Sequence, residues 1–438
     1  MALKTILTLL ALLLLIACDV PQNTQIKLTF WHTLEDAENI ALLRQLIDKF
    51  ESKNPNVAIE LVKVSDPHGM DNKIRKALSY NTAPDFVWWG PQQLGYMRST
   101  GRLLKFGKWI KTDTSFQKDT VYDVLWKTAS YNGEIYAVPF DTNNLALYYN
   151  RDLFKKQNID PNTINTWQDL LHAAKQLTQD FDNDGLIDQY GLQLPTGEDE
   201  WTVWVWQTQL WASGGTFLTA DHEKVAFNSA MGIQALQWWL DLIYTHKVAI
   251  LSGKNRGYKI EDFLAGKIAM VINGPWNFKK LEKAKAKGLH YGAIKLPKAQ
   301  RYVTNIGGEN LYALKTFPAH EKAQWQFAKY VLSKEFQMTW AMKTGYLPVN
   351  KEVSEDPIYK AFVAKNPFIK TYLEQIPYGR YRPAIQAYPR ISKILAEKLH
   401  QALVKEITPV EALSQAAVIA QKELSFWSHF LKDNFSPF

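Results

Sequence analysis

Cys18 is the only cysteine in the 438-residue chain, so no internal disulfide can staple the fold and packing alone must hold it. It closes an apolar run from Ile6 to Ala17, preceded by a single positive charge, Lys4. Twelve residues of that kind are too few to cross a bilayer as a helix, but they suit the hydrophobic stretch of an export leader. Removing residues 1–17 leaves 421, more than one hydrophobic core commonly encloses, so two lobes are expected.

Leu15-Ile16-Ala17-Cys18 resembles a bacterial lipobox, in which the thiol takes a diacylglycerol and the chain is cut just before it. On that reading the mature protein begins at Cys18. It is exported and lipid-anchored to the cell membrane, facing the periplasm or the cell exterior. An ordinary leader with an incidental cysteine is the alternative, but an exported chain with one unpaired thiol carries a reactive liability.

With 46% apolar and 21% charged residues the composition is globular, and no second apolar run approaches the length of a membrane span. Loss of Lys4 takes the formal charge from +8 to +7. An excess of that size favours anionic surfaces. The basic residues are nevertheless scattered among acids, as in Leu281-Glu282-Lys283-Ala284-Lys285, and no nucleic-acid-reading motif is present. Nucleic acid is therefore excluded as a partner.

The aromatic content is unusual: 16 Trp, 20 Tyr and 21 Phe. Many of these rings belong in a core, and the helical spacing of Trp201, Trp204 and Trp211 places at least some of them on a buried face. A surplus this large also suits a groove, where flat rings beside hydrogen-bonding groups match the C–H faces and hydroxyl rims of pyranoses.

Strand and helix patterns alternate, which points to α/β architecture. Ile26–Phe30 alternates as a strand, and a helix is expected over 35–53, where Asn54-Pro55 stops it. Val57–Val64, Asp85–Trp89 and Ile268–Ile272 read as strands, and 73–80 and 321–332 as helices. Thr166-Trp167-Gln168-Asp169 has the form of a capping box opening a helix that runs to about Thr178.

Several ordered landmarks resemble one family. They are Phe30-Trp31-His32, Ala83-Pro84-Asp85-Phe86-Val87, and Tyr131-Asn132-Gly133-Glu134 through Val138-Pro139 with Asp141. Leu147-Tyr148-Tyr149-Asn150-Arg151-Asp152 follows, then Phe263-Leu264-Ala265-Gly266-Lys267 through Asn273-Gly274-Pro275-Trp276. Gly307-Gly308-Glu309-Asn310, Gly345-Tyr346-Leu347-Pro348 and Arg382-Pro383 through Tyr388-Pro389 complete the series. Together they resemble the carbohydrate-binding lipoproteins of bacterial ABC importers, the extracellular solute-binding family 1 of maltose-binding-protein type.

The resemblance implies a two-lobed, periplasmic-binding-protein-like α/β fold of type II, with a sugar held in the cleft between lobes. It implies residues 18–140 and 297–344 in one lobe and 141–296 and 345–438 in the other. Crossings are then expected near Pro139–Asp141, Leu296–Lys298 and Thr344–Gly345. Hinge closure would trap a mono- or oligosaccharide, and the importer's permease subunits would receive it from a monomer.

Within that frame Trp276 is implied as a sugar-stacking ring, a lobe-core tryptophan being the alternative. Trp31 and His32 lie just past a strand's carboxyl end, where open α/β sheets bind ligands. Trp89, Gln92 and Gln93 lie beyond another strand, where relatives place an acidic or polar sugar contact. Asp85 matches a buried structural aspartate. Asp141 and Asn143, two apart in an extended crossing, share a face and suit either sugar hydroxyls or their own turn. Gly308 leaves room for close backbone approach, and Glu309 stands where many relatives carry Trp. Arg382, with Tyr346, is a candidate donor from the second lobe, although an interlobe salt bridge would use the same guanidinium. Arg380 is the alternative donor.

Asp180, Asp182, Asp184 and Asp188 occupy positions 1, 3, 5 and 9 of a calcium-type loop with Gly185 at 6, but position 12 is Gly191 instead of glutamate. A plain Asx-rich turn accounts for the same residues. No other cofactor is expected. Two rival functions fit the composition less well: a polyol-phosphate receptor of the glycerol-3-phosphate type, and a lipid-anchored enzyme acting on glycosides with a carboxylate pair.

Overall fold

The computed structural model describes residues 25–64, 67–251 and 260–435. Cys18 and the leader before it lie outside the described residues.

The first strands and helices follow local chemistry closely. β1 (Ile26–His32) runs into α1 (Ala37–Lys53), whose N-cap Asp36 accepts from the Asn39 N–H. β2 (Val57–Lys63), α2 (Pro67–Ser79) and β3 (Phe86–Trp89) come next, and α2 begins earlier than the expected residue 73. Asp85 is structural, its Oδ2 accepting the Thr29 N–H at 2.8 Å. β4 (Ala137–Pro139) ends the first pass.

The chain then builds a second sheet. It comprises β5 (Ala146–Asn150), β6 (Tyr190–Leu194), β7 (Ala249–Leu251), β8 (Ile268–Asn273) and β9 (Tyr291–Ile294). Between these lie α3 (Trp167–Leu177), α4 (Glu200–Ala212) and α5 (Phe278–Lys285). α3 opens on the expected capping box, Thr166 and Asp169 each satisfying the other's backbone N–H.

β10 (Thr304–Asn305) precedes β11 (Asn310–Ala313), which rejoins the first sheet, and α6 (Pro318–Val331) and α7 (Lys334–Thr344) pack on it. The chain finishes with β12 (Gly379–Arg380), α8 (Tyr388–Leu403) and α9 (Pro409–Phe435).

The architecture is therefore α/β with two sheet-containing lobes. The strand orders are β2-β1-β3-β11-β4 and β9-β5-β8-β6-β7. In the first sheet β1 is parallel to both β2 and β3, and β11 is antiparallel to β3 and β4. Both faces of each sheet are covered by apolar clusters, so inner strands such as β3 and β8 are buried at every residue. β1 and β2, toward the edge, keep an alternating pattern.

Three segments cross between the sheets. Phe140 packs in the first-lobe core and Leu145 in the second. Tyr346 and Val349 lie in the first, with Leu347 between them touching the second. Val353 and Tyr359 pack with Ala341 of α7, and Phe368 lies in the second lobe. This crossing therefore follows Tyr359 and does not fall at the expected Thr344–Gly345. The remaining crossing also corrects an expectation. It lies after Val303 and reaches the first-lobe core at Ile306, not near Leu296–Lys298. Leu296 is held in the second lobe by the Gln375 side chain, Lys298 by the Asn165 carbonyl, and Thr304 by Leu145. Residues 297–303 thus sit with the second lobe. Asn143 pairs with Gly307, which bonds two of the crossings together, and Thr142 pairs with Leu347.

Candidate ligand-binding cleft

The turn after β8 sets the central ring. Asn273 Oδ1 accepts from the Gly274 N–H at 2.9 Å and from Asn277 Nδ2 at 2.8 Å, which fixes a tight Gly274-Pro275 corner. Trp276 folds back over Gly274 so closely that a Cβ there would lie 1.8 Å from the indole. The half-buried ring stacks on Trp204 with centroids 5.8 Å apart and meets Trp201 edge-on at 5.9 Å. Trp276 touches the cores of both lobes. It is a ring at the seam, not inside either core.

α4 supplies the second wall. Arg382 lies over the Trp204 ring at 5.2 Å and donates through Nη1 to Glu200 Oε1 at 2.9 Å. Glu200 also accepts from the Tyr388 and Ser392 hydroxyls. The Arg382 ion pair is consequently made within the second lobe, which corrects the interlobe alternative. Arg380, on β12, instead stands beside Arg301, whose charge together with burial lowers its pKa.

The first lobe faces this wall with the segment after β3. Tyr312 Oη donates to the Gly90 carbonyl at 3.1 Å, and the Gln92 amide folds over Gly90. Ile385 of the second lobe presses so near Gly95 that a Cβ there would sit 2.2 Å from its carbonyl carbon. The lobes are thus in contact across the seam. Trp89 is buried at the end of β3.

The floor is made by the crossings. Asp141, 3% exposed, accepts from the Glu309 N–H at 2.9 Å and from Trp340 Nε1 at 3.0 Å. Burial raises its pKa to about 6 despite these bonds. Glu309 hydrogen-bonds to the Asp141 carboxyl, and burial followed by the charge of Asp141 drives its pKa well up, against the opposing pull of Arg382. Gly308, with φ of +97°, packs against the Asp141 carbonyl and Thr142. Asn143 Oδ1 points between Gly307 and Trp204. Tyr346 is buried beside Trp340 at 6.4 Å.

Among the described residues, buried side-chain atoms lacking a hydrogen-bond partner recur here: Gln92, Gln93 and Gln386 Oε1, Asn143 Oδ1, Glu309 Oε2, Trp204 Nε1 and Arg382 Nε. Such groups are costly to leave unmet, so those carried by the segments at the seam are available to a polar molecule.

Some expected positions fall elsewhere. Trp31 packs among Val87 and Met97 under Lys73, inside the first lobe, and the expected contact Trp89 is buried in that same cluster. His32, 1% exposed, accepts the Leu34 N–H on Nδ1 at 3.2 Å. Burial, helped by Lys63, lowers its pKa to about 4, so it is a neutral backbone anchor. The Asp180 turn is self-bonded. Asp180, Asp182, Asp184 and Asp188 each accept a backbone N–H from the loop, and only Asp180, Asp182 and Asp188 bring oxygens within 4.8 Å of one another.

Trp201, Trp204 and Glu200 were not legible as site residues from helical spacing. The available signal was that α4 has no separate polar face, its Thr and Gln residues being interspersed among apolar ones, and every residue from Trp201 to Ala212 is buried.

Residues 45–370 match the family described as bacterial extracellular solute-binding protein. The chain belongs to that family. This solute-binding protein is 23% identical over 340 residues to the maltotriose-binding protein of Pyrococcus abyssi, covering 76% of this chain and 69% of that one. It is 22% identical over 402 residues to the galactooligosaccharide-binding protein of Bacillus subtilis, covering 89% and 88%. Among solved structures, an ABC transporter solute-binding protein from Thermotoga lettingae bound to α-D-tagatose superposes with a TM-score of 0.79 at 27% identity. That alignment covers 91% of this chain and 100% of the other. The family and these neighbours are binding proteins, not enzymes.

Proposed function

We propose that this protein captures a neutral mono- or oligosaccharide by closing its lobes and hands it to the permease subunits of an ABC importer. The observation that carries this reading is the Trp276–Trp204 pair, one ring touching both lobes, set among buried hydrogen-bonding groups that lack protein partners. Stacked rings take the C–H faces of a sugar while Gln92, Asn143 and Glu309 meet its hydroxyls. The sugars named for the relatives agree with such a cleft.

A polyol phosphate is the weaker reading. The Arg382 guanidinium over Trp204 is already paired with Glu200, so it offers a phosphate little uncompensated charge. Glycoside cleavage is also disfavoured. A hydrolytic carboxyl pair stands roughly 5–9.5 Å apart to flank the bond, whereas Asp141 and Glu309 are hydrogen-bonded to each other. The proposal includes a diacylglycerol anchor on Cys18, supported by the lipobox sequence alone, and a monomeric receptor. Calcium at the Asp180 turn forms no part of it.

Isothermal titration with maltotriose, a galactooligosaccharide, D-tagatose and glycerol-3-phosphate tests the reading. A neutral sugar is expected to bind with micromolar or tighter affinity and to be recovered unaltered. Exclusive binding of the phosphate ester, or appearance of a cleavage product, would reject it.

A further inference from the structure

α5 follows directly on the Trp276 turn and belongs to the second lobe, where Leu281 packs in the core. Its basic face reaches the first lobe at the start of α1. Lys283 Nζ lies 3.0 Å from Glu38 Oε1, and Lys279 Nζ lies 3.3 Å from Glu38 Oε2 and 3.6 Å from Asp36 Oδ1. Lys279 and Lys283 are four apart, so they share one helix face. Asp36 and Glu38 are the N-cap and first-turn residues of α1, held on a rigid element. By contrast Lys280, between them, pairs with Glu261 inside its own lobe at 3.2 Å.

From this geometry we propose that Lys279 and Lys283 with Asp36 and Glu38 form an interlobe clasp at the rim of the cleft. The clasp positions Trp276 over the ligand and sets how long the lobes stay shut. The inference rests on the closure proposed above. Separation of the lobes must break these three contacts, whereas pairs within one lobe survive it, so the cluster contributes to the closed state selectively. Glu38 at 58% and Lys283 at 68% are exposed and Lys279 at 19% is partly covered, but every contact has an exposed acid on one side, so each is weak and screened by salt. Screening is itself the signature. A balance between open and closed forms responds to small differential terms that would be lost within the stability of a whole domain. The same pairing holds the Glu38 carboxyl below its usual range, chiefly through Lys283 and then Lys279.

The test compares the wild type with Glu38→Gln, the within-lobe control Glu261→Gln, and the swapped pair Glu38→Lys with Lys283→Glu. The probe is maltotriose, and the readouts are its dissociation rate and the small-angle scattering radius of the sugar-free protein. Glu38→Gln is expected to release maltotriose about two- to fivefold faster at low salt. The wild type should approach the same rate between about 20 and 500 mM NaCl. Glu261→Gln should match the wild type, and the swapped pair should recover most of the loss. The association rate should change less than the dissociation rate.

The scattering radius needs no ligand, so it separates this inference from the sugar assignment. If maltotriose fails to bind while the radius still grows with salt and in Glu38→Gln, the clasp stands and the choice of sugar falls. Dissociation and radius both indifferent to salt and to Glu38→Gln would overturn the clasp. So would an unrecovered swapped pair.

Discussion

The backbone N–H of Glu309 donates to Asp141 Oδ1 at 2.9 Å, so a carboxylate on one crossing segment holds the backbone of another. Trp340 Nε1 takes the second oxygen at 3.0 Å, and the Glu309 carboxyl itself leans on the same Asp141. Both acids therefore sit where the crossing segments meet, and their charge state bears on how those segments pack.

Stability should fall on the alkaline side of this pair. Burial raises Asp141 to about 6 and Glu309 well above its ordinary value, so the folded state binds these protons more tightly than the unfolded chain. Their contribution is fully present below the ordinary carboxylate range near 4 and is lost as pH rises through the raised values. Glu309→Gln removes one of the two charges. Its thermal midpoint should exceed that of the wild type at about pH 8, and the gap should close by about pH 5. A gap that is constant with pH would mean the carboxyls do not share their titration.

Trp276→Ala should weaken maltotriose binding by roughly thirtyfold or more, the loss of about 2 kcal/mol from a stacked ring. The ring is half-buried and touches both lobes, so its removal costs less stability than deletion of a fully buried tryptophan. Circular dichroism should report an unchanged fold. Retention of wild-type affinity would take Trp276 out of the site.

Which parts were legible in the sequence follows the range of the interactions. The capping box at Thr166 and Asp169, the stop of α1 at Asn54 and the buried strand at Ile268 are decided by neighbours a few residues away. The placement of Trp276 off the end of β8 was legible too, because a Gly-Pro corner after a strand turns the next residue away from the sheet. The return crossing was not. Its place is set by bonds between Leu145 and Thr304 and between Leu296 and Gln375, which leave no mark on local pattern. His32 shows the same limit. Its position at the carboxyl end of β1 suits a ligand contact, and only the folded loop reveals that its acceptor is spent on Leu34. Trp204 lies on a buried face as its helical spacing implies, but its stacking on Trp276 depends on a turn far along the chain and leaves no local mark.

His32 should shape the acid limb of the stability curve. Its folded-state pKa of about 4 lies below the ordinary 6.5, so the unfolded chain takes up the proton first as pH falls. The associated stability is complete above about 6.5, declines from there to about 4, and levels off below. A separation of that size corresponds to about 3 kcal/mol at most. His32→Asn keeps a side-chain acceptor for the Leu34 N–H and removes the titration. Urea unfolding across this range should therefore show a flatter acid limb in the variant. Parallel curves for the two proteins would refute the assignment of His32 as a buried neutral anchor.

Gly308 allows the steric demand of the crossing to be measured directly. Its φ is +97°, and a Cβ would stand 2.5 Å from both the Asp141 carbonyl oxygen and the Thr142 Cα. Both obstacles are backbone of a neighbouring crossing, so neither can swing aside as a flexible side chain would. Gly266 is the natural control, because its φ is +74° and a Cβ there meets nothing within 4 Å. Gly266→Ala should cost only the backbone preference, about 1 kcal/mol. Gly308→Ala should cost roughly 2–4 kcal/mol, since the Asp141–Gly308 contact must also spread. The spread would move Glu309 off Asp141, so maltotriose affinity should drop in Gly308→Ala and hold in Gly266→Ala. Equal destabilisation of the two variants would show that the crossings are not packed backbone against backbone.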